Sequence, residues 1–298
     1  VHVPCNVEVK FHSPPESLRR YFTSFYFTKI TPPPGETVTD LLHPEWANLR
    51  FFSGALPVAQ ARDGTRVSGT FFTATGPSSQ AVHFEVGPTR LWGVGLLPLG
   101  WAKFVRAEAA DHANAVVDGH AHSAFASFRP LANTLFGPEA DEDTEAEFDR
   151  IVAHFIARID EPVLDKQRII AIHEALIDPE IHTVAALVEQ TGSTPRTIER
   201  VCHRAFGFAP KLLLRRQRFM RSLAHFMLDP KLKWSGAMDG HYYDQAQFVR
   251  DFRQFMGMTP RQYAAREKPI LSAVMRERAR IAGAAAQTLD SPKGGVLD

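Results

Sequence analysis

Between Ala47 and Gly100 short aromatic and β-branched runs recur, each bounded by Gly, Pro or Asp: ANLRFFSGALPVAQ, TRVSGTFFTATG, QAVHFEVG and RLWGVGLLPLG. Strands set off by turn formers have this grammar. It predicts a compact antiparallel β-barrel or sandwich over residues 1 to about 130, with PLGWAKFVRAEA passing into a helix. Further along, the apolar spacing becomes helical. Phe148, Ile151, Val152, Phe155 and Ile159 mark one face of an amphipathic helix, and the seven acids crowded into positions 139 to 149 suit a solubilising linker and a helix start. That apolar stripe has two destinations open to it, its own chain or a partner chain.

One pattern then occurs twice, 50 residues apart. GSTPRTIERVCHRAFGFAPKLL from Gly192 and YYDQAQFVRDFRQFMGMTPRQY from Tyr242 align so that Thr194 falls on Asp244, Ile198 on Phe248, Arg200 on Arg250, Cys202 on Phe252, Ala205 on Phe255 and Gly207 on Gly257. Thr194 and Asp244 are N-cap types, Pro195 suits the first helical position, and Gln247 stands where a capping box needs it. The apolar residues at intervals of four and three form one buried stripe in each copy, and the glycines supply the stop. The opposite face shows Arg196, Glu199, Arg200 and His203 in the first copy and Gln245, Ala246, Gln247 and Arg250 in the second. Ahead of the first copy, TVAALVEQTG carries Val184, Ala185, Leu187 and Val188 and ends at Gly192, which predicts helix, tight turn, helix. The corresponding stretch ahead of the second, KWSGAMDGH, contains Gly236 and Gly240, so its helix is expected to be short, with Trp234, Ala237 and Met238 as core contacts. Between the copies, Pro210 to Leu228 has no internal breaker and reads as one helix, about 28 Å long at 1.5 Å per residue.

Charge sharpens this picture. The chain of 298 residues has a net charge of only +1, yet residues 1 to 163 carry 13 Lys and Arg against 19 Asp and Glu, whereas residues 164 to 268 carry 17 against 11. The imbalance peaks where Arg196, Arg200, Arg204, Lys211, Arg215, Arg216, Arg218 and Arg221 face the single acid Glu199, a local excess suited to a polyanion. A solvated surface is the plainer alternative for any one charge run.

Two such modules joined by a long helix, and above all YYDQAQFVRDFRQFMGMTP, resemble the DNA-binding domain of the AraC/XylS family of bacterial transcription regulators, over about residues 167 to 266. The resemblance implies a seven-helix reader contained in one chain, sitting in two consecutive major grooves of double-stranded promoter or operator DNA. Carried over by position, its base-facing residues are Arg196, Glu199 and Arg200 with Gln245, Ala246, Gln247 and Arg250, to which His203 is added as a DNA-binding residue on the same face. Arg suits guanine, Gln adenine and Glu a cytosine amine, while Ala246 offers a methyl contact to thymine. GVGLLPLGWAKF is similar to the N-terminal sensory part of one subgroup of these regulators, which implies a domain for an unknown small-molecule effector or a second protomer. Where the family commonly has Gly before the aromatic pair, this chain has His241, with Gly240 one position early.

Other chemistries fare worse. His120 and His122 in DGHAHSAF, set on a strand, are two legs of a metal site without a third, and His173-Glu174 meets Ile177 where a zincin motif needs its second His. GVGLLP lacks the third Gly of a dinucleotide loop, and no GxSxG occurs. Cys5 and Cys202 form no metal or disulfide pattern, although a terminal Cys5 also raises a methyl-acceptor reading. No catalytic residue, metal or cofactor is therefore assigned. With no apolar run of membrane-spanning length and no signal-peptide pattern, a cytoplasmic location is expected.

The resulting expectation is an α+β chain: a β-rich regulatory domain (1–138), an acidic linker with an amphipathic helix (139–166), an all-α double helix-turn-helix reader (167–266) and a partly disordered tail (267–298) in which ERARIAG begins as a helix and then frays. Its expected partners are DNA, RNA polymerase, an effector and a second copy of itself, with no membrane. The rival reading is a β-barrel metal-dependent enzyme with a helical dimerisation domain.

Overall fold

A computed structural model of the chain describes residues 5–137, 142–228, 234–282 and 286–292. Its first half is built on β1 (Asn6–His12), β2 (Phe22–Thr31), β3 (Val38–Leu42), β4 (Ala47–Gly54), β5 (Val58–Gln60), β6 (Arg66–Val67), β7 (Phe72–Thr75), β8 (Val82–Val86), β9 (Thr89–Leu96) and β10 (Val116–Asp118). These pair antiparallel into two sheets, one in the order β1-β2-β9-β4-β7-β10 and the other β3-β8-β5-β6. The architecture is an open two-sheet arrangement; no barrel closes. The four quoted sequence runs become β4 to β9, while β1, β2 and β3 precede them.

Strand β9 lies at the centre of the larger sheet and is buried along its whole length, which is why its sequence is apolar without alternation. Gly93 sits in register between Tyr26 of β2 and Arg50 of β4. The Tyr26 ring occupies the space a side chain at Gly93 would fill, and the phenol oxygen there accepts a hydrogen bond from Arg50 Nε at 3.1 Å.

Helix α1 (Pro98–Gly100) runs into a wide turn over Trp101–Val105, followed by α2 (Arg129–Thr134) and α3 (Thr144–Ile156). The acidic stretch is not simply a solvated linker. Asp143 caps α3, Glu142 and Glu145 pair with Lys29 and Lys10 of the sheet, and Glu147 is buried, accepting from Arg90 and from the Trp92 indole at 2.7 Å each. Glu147 lies four residues before Ile151, so the face that buries Ile151 and Phe155 carries Glu147 inward with it. Glu139 and Asp141 lie outside the described residues. The apolar stripe packs within its own chain: Phe155 meets Phe22, Phe25 and Phe104, and Phe148 stacks on His12. The partner-chain destination for the stripe is thereby corrected.

Seven helices follow among the described residues: α4 (Lys166–Ile177), α5 (Val184–Thr191), α6 (Pro195–Val201), α7 (Pro210–Leu228), α8 (Trp234–Ala237), α9 (Gln245–Met256) and α10 (Pro260–Ala265). The tail is also corrected in part. It forms α11 (Pro269–Ala282), beginning well before ERARIAG, and packs against β1 and β3 of the first half. Buried Asp40 of β3 accepts from the backbone N–H groups of Ile270 and Leu271 at 2.8 and 2.9 Å, capping the helix start. Within the stretch expected to fray, residues 283–285 and 293–298 lie outside the described residues. No described helix is long and apolar enough to cross a membrane.

Candidate nucleic-acid interface

Both copies of the repeat fold by the same local devices. Thr194 and Asp244 accept from the N–H groups of Thr197 and Gln247, and Gly207 and Gly257 take left-handed φ of 83° and 73°. Ile198, Cys202 and Ala205, and likewise Phe248, Phe252 and Phe255, are buried as one stripe. In the first copy the helix widens after Val201 into a π-type turn over Cys202–Phe206, whereas α9 runs regularly for its 12 residues. Helix α8 is four residues long; Trp234 stacks on Phe226 at 3.6 Å, Ala237 is buried and Met238 packs partly against the core. Ala185, named from sequence among the apolar residues of α5, is exposed.

On the outer faces, Arg196, Glu199 and Arg200 are exposed and His203 is half-buried, while Gln245, Ala246 and Arg250 are exposed and Gln247 is half-buried. These residues differ in how free they are. Glu199 and His203 bind each other at 3.1 Å, and the Gln247 carbonyl accepts from Tyr243 N–H, so this box closes on the residue before the cap. Arg200 donates to Asp165 at 2.9 Å although its own side chain remains half-exposed.

Asp165, in left-handed conformation just ahead of α4, also accepts from Arg168 and Arg204. Burial alone would raise its carboxyl, but hydrogen bonds from the three guanidinium groups outweigh it and hold the group at about 2. Sequence reading missed Asp165 because two of its partners stand 35 and 39 positions away.

Much of the basic excess turns inward. Arg215 and Arg218 of α7 pair with buried Asp251 of α9, and Arg221 pairs with Asp239. Arg216 is wholly buried, its guanidinium 4.0 Å over the Trp46 ring and donating to the Ser78 carbonyl at 2.9 Å. These four arginines, counted from sequence toward a polyanion surface, instead join helices to each other or to the first half. Arg196 and Lys211 are exposed.

Each module also has a seam with the β-rich half. At the first, Trp46 meets the rings of Phe206 and His173, and Gly207 lies against Pro77 and Ala109. At the second, Ala81 N–H donates to the Phe255 carbonyl at 2.8 Å, Arg62 donates to Gln254, and His43 bonds Tyr263 at 2.7 Å. The modules touch directly where His182 stacks on His241, 4.3 Å apart.

The rival chemistries meet other geometry. His120 and His122 follow β10 in a turn rather than on a strand; His120 bonds Asn133, and His122 accepts from the Ala124 N–H. No group of three His, Cys, Asp or Glu able to hold a metal occurs among the described residues. Burial pushes the Cys202 thiol up to about 12 and raises that of Cys5, which disfavours the nucleophilic thiolate in both.

Residues 187–266 match a family described as a helix-turn-helix domain. Residues 187–266 thus carry a helix-turn-helix domain. No curated protein matches the chain. Among solved structures it is similar to ToxT from Vibrio cholerae, at 9% identity over 87% of this chain and 97% of that one, with a TM-score of 0.42. The AraC-like transcriptional activator CuxR aligns at 12% identity over 74% and 87%, TM-score 0.28. The ribosomal oxygenase YcfD from Escherichia coli aligns at 9% over 52% and 43%, TM-score 0.21.

Proposed function

We propose that this chain regulates transcription by laying α6 and α9 into two consecutive major grooves of one DNA duplex, under control of a small molecule or a second protomer at its β-rich half. Residues 167–266 are the reader and residues 1–138 the sensor. The observation that carries this is the repeated unit itself: two helices with the same cap, stripe and stop, polar residues on their outer faces, held by one unbroken 19-residue helix. A helix of that length spans about 28 Å, close to the roughly 34 Å between successive major-groove faces on one side of B-DNA. Arg196, Glu199, Arg200 and His203 face the first groove, and Gln245, Ala246, Gln247 and Arg250 the second. Lys and Arg contacts to phosphate supply most of the affinity, and the base-facing side chains supply the choice of sequence.

The test is a gel shift of the full chain against genomic fragments, followed by footprinting of the retained site. Two protected stretches about one helical turn apart are expected. Arg250→Ala should cost about 1 to 3 kcal/mol, roughly 5- to 150-fold in affinity, and relax one base position if the contact is bidentate. Failure to retain any fragment selectively would remove the proposal.

A further inference from the structure

The two sheets form a cavity of about 120 Å³ whose wall is completed by α7 and α11. Strands β2, β4, β8 and β9 line one side, Met220 of α7 lies on another, and Ile270, Val274 and Met275 of α11 close it. Most of the wall is apolar. Three of the polar residues in it, Thr28, His43 and Arg278, are each more than nine-tenths buried. Thr28 Oγ1, His43 Nδ1 and Arg278 Nε find no hydrogen-bond partner among the described residues. Buried polar atoms are costly to leave unmatched, so atoms of this kind at one cavity mark a place for an occupant.

The charges in the wall are already matched. Arg50 gives Nη2 to both oxygens of Glu45 at 2.9 Å, Nη1 to Thr75 and Nε to Tyr26. Arg278 donates to Ser24 at 3.1 Å from Nη1 and to Asp290 from Nη2, so Nε is its one nitrogen without a partner among the described residues. An entering carboxylate would bring a third negative charge beside Glu45 and Asp290 and find no uncompensated cation. An entering ammonium would have to compete with Arg50 or Arg278 for an acid already engaged.

We infer that the cavity binds an uncharged, mainly apolar small molecule carrying one hydroxyl or carbonyl oxygen, which accepts from Arg278 Nε–H. This rests on the reading of the β-rich half as the sensor and names its ligand class. Because Met220 lies on α7 of the reader and α11 follows the reader directly in the chain, an occupant bridges the sheets and these helices and tightens the seam at Asp40, Ile270 and Leu271. The two methionines supply an adaptable surface for it.

The test compares 1-octanol with octanoate at pH 7.5 on the full chain, read by thermal melting and by hydrogen exchange of α11. Octanol should raise the melting temperature saturably, with an affinity about tenfold or more above that of octanoate, and should slow exchange at Ile270 and Leu271. Val86→Phe, which fills the cavity, should abolish the shift. Thr28→Val, which removes one hydroxyl without adding bulk, should weaken it and keeps the test informative if the Phe variant fails to fold. Octanoate binding as well as octanol, no shift with either, or an octanol shift unchanged in both variants would overturn the inference. Selective DNA retention by the unliganded chain reports separately on the DNA-binding reading.

Discussion

The two helix-turn-helix modules share a plan and differ in how it is secured. In the first, a half-exposed arginine of the outer face, Arg200, is tied to Asp165, an acid outside the repeat. In the second, the principal acid is Asp251, inside the repeat, and it faces α7: Asp251 takes Arg215, Arg218 and the Tyr242 hydroxyl, while Arg250 stays exposed. Equivalent positions in a duplicated element thus have unequal freedom. The stripe and caps are common to both because each helix needs them to exist, whereas charge pairing depends on what each copy happens to pack against.

The comparison is most severely tested at the two acids. Asp251→Ala strands two arginines against a packed helix and should cost about 3 to 5 kcal/mol of stability in urea denaturation. Asp165→Ala should cost less, about 1 to 2 kcal/mol, because Arg168 and Arg200 are half-exposed and can turn to water, which leaves only the part-buried Arg204 stranded. Equal losses would mean that the modules are anchored alike.

Acid titration probes the seams. His173 at the first and His43 at the second are each pushed down to about 3 by burial, with Arg216 and Lys268 respectively adding to the effect. Both folded values lie below the ordinary 6.5, so the unfolded chain binds the proton first. Stability is complete above that value and is lost as pH falls toward 3. At pH 5 each imidazole should cost about 2 kcal/mol relative to pH 7. His43→Gln should remove the share of the second seam, visible as a smaller difference between urea midpoints at the two pH values; an unchanged difference would show that His43 titrates normally.

The smallest effects separate the helix stops. Gly257→Ala meets open space apart from Arg62 and should cost about 1 kcal/mol for its left-handed backbone alone. A side chain at Gly207 would lie 3.1 Å from Pro77 and 3.2 Å from the Ala109 carbonyl, so Gly207→Ala should cost about twice as much, measured as the difference in urea midpoint. Equal penalties would remove the asymmetry between the two seams.

The parts legible in the sequence were those set within a turn or two of helix, or along a single strand. Thr194, Asp244, Gly207 and Gly257 act on neighbours three or four residues away, so the helices of the repeat, their caps and their exposed faces could be placed from spacing alone. The paired aromatic and β-branched runs announced β4 to β9 in the same way.

What only the tertiary structure decided concerns residues far apart in the chain. Arg216 lies over Trp46, Asp40 caps a helix 230 residues later, Glu147 turns into the sheet, and α11 returns to close a cavity begun by β2. Local periodicity says whether a position faces inward or outward; it does not name the partner. A charge placed by the sequence on an outward face pairs instead with a distant element, as Arg215, Arg218 and Arg221 do, since Coulomb attraction and burial depend on separation in space rather than on separation along the chain.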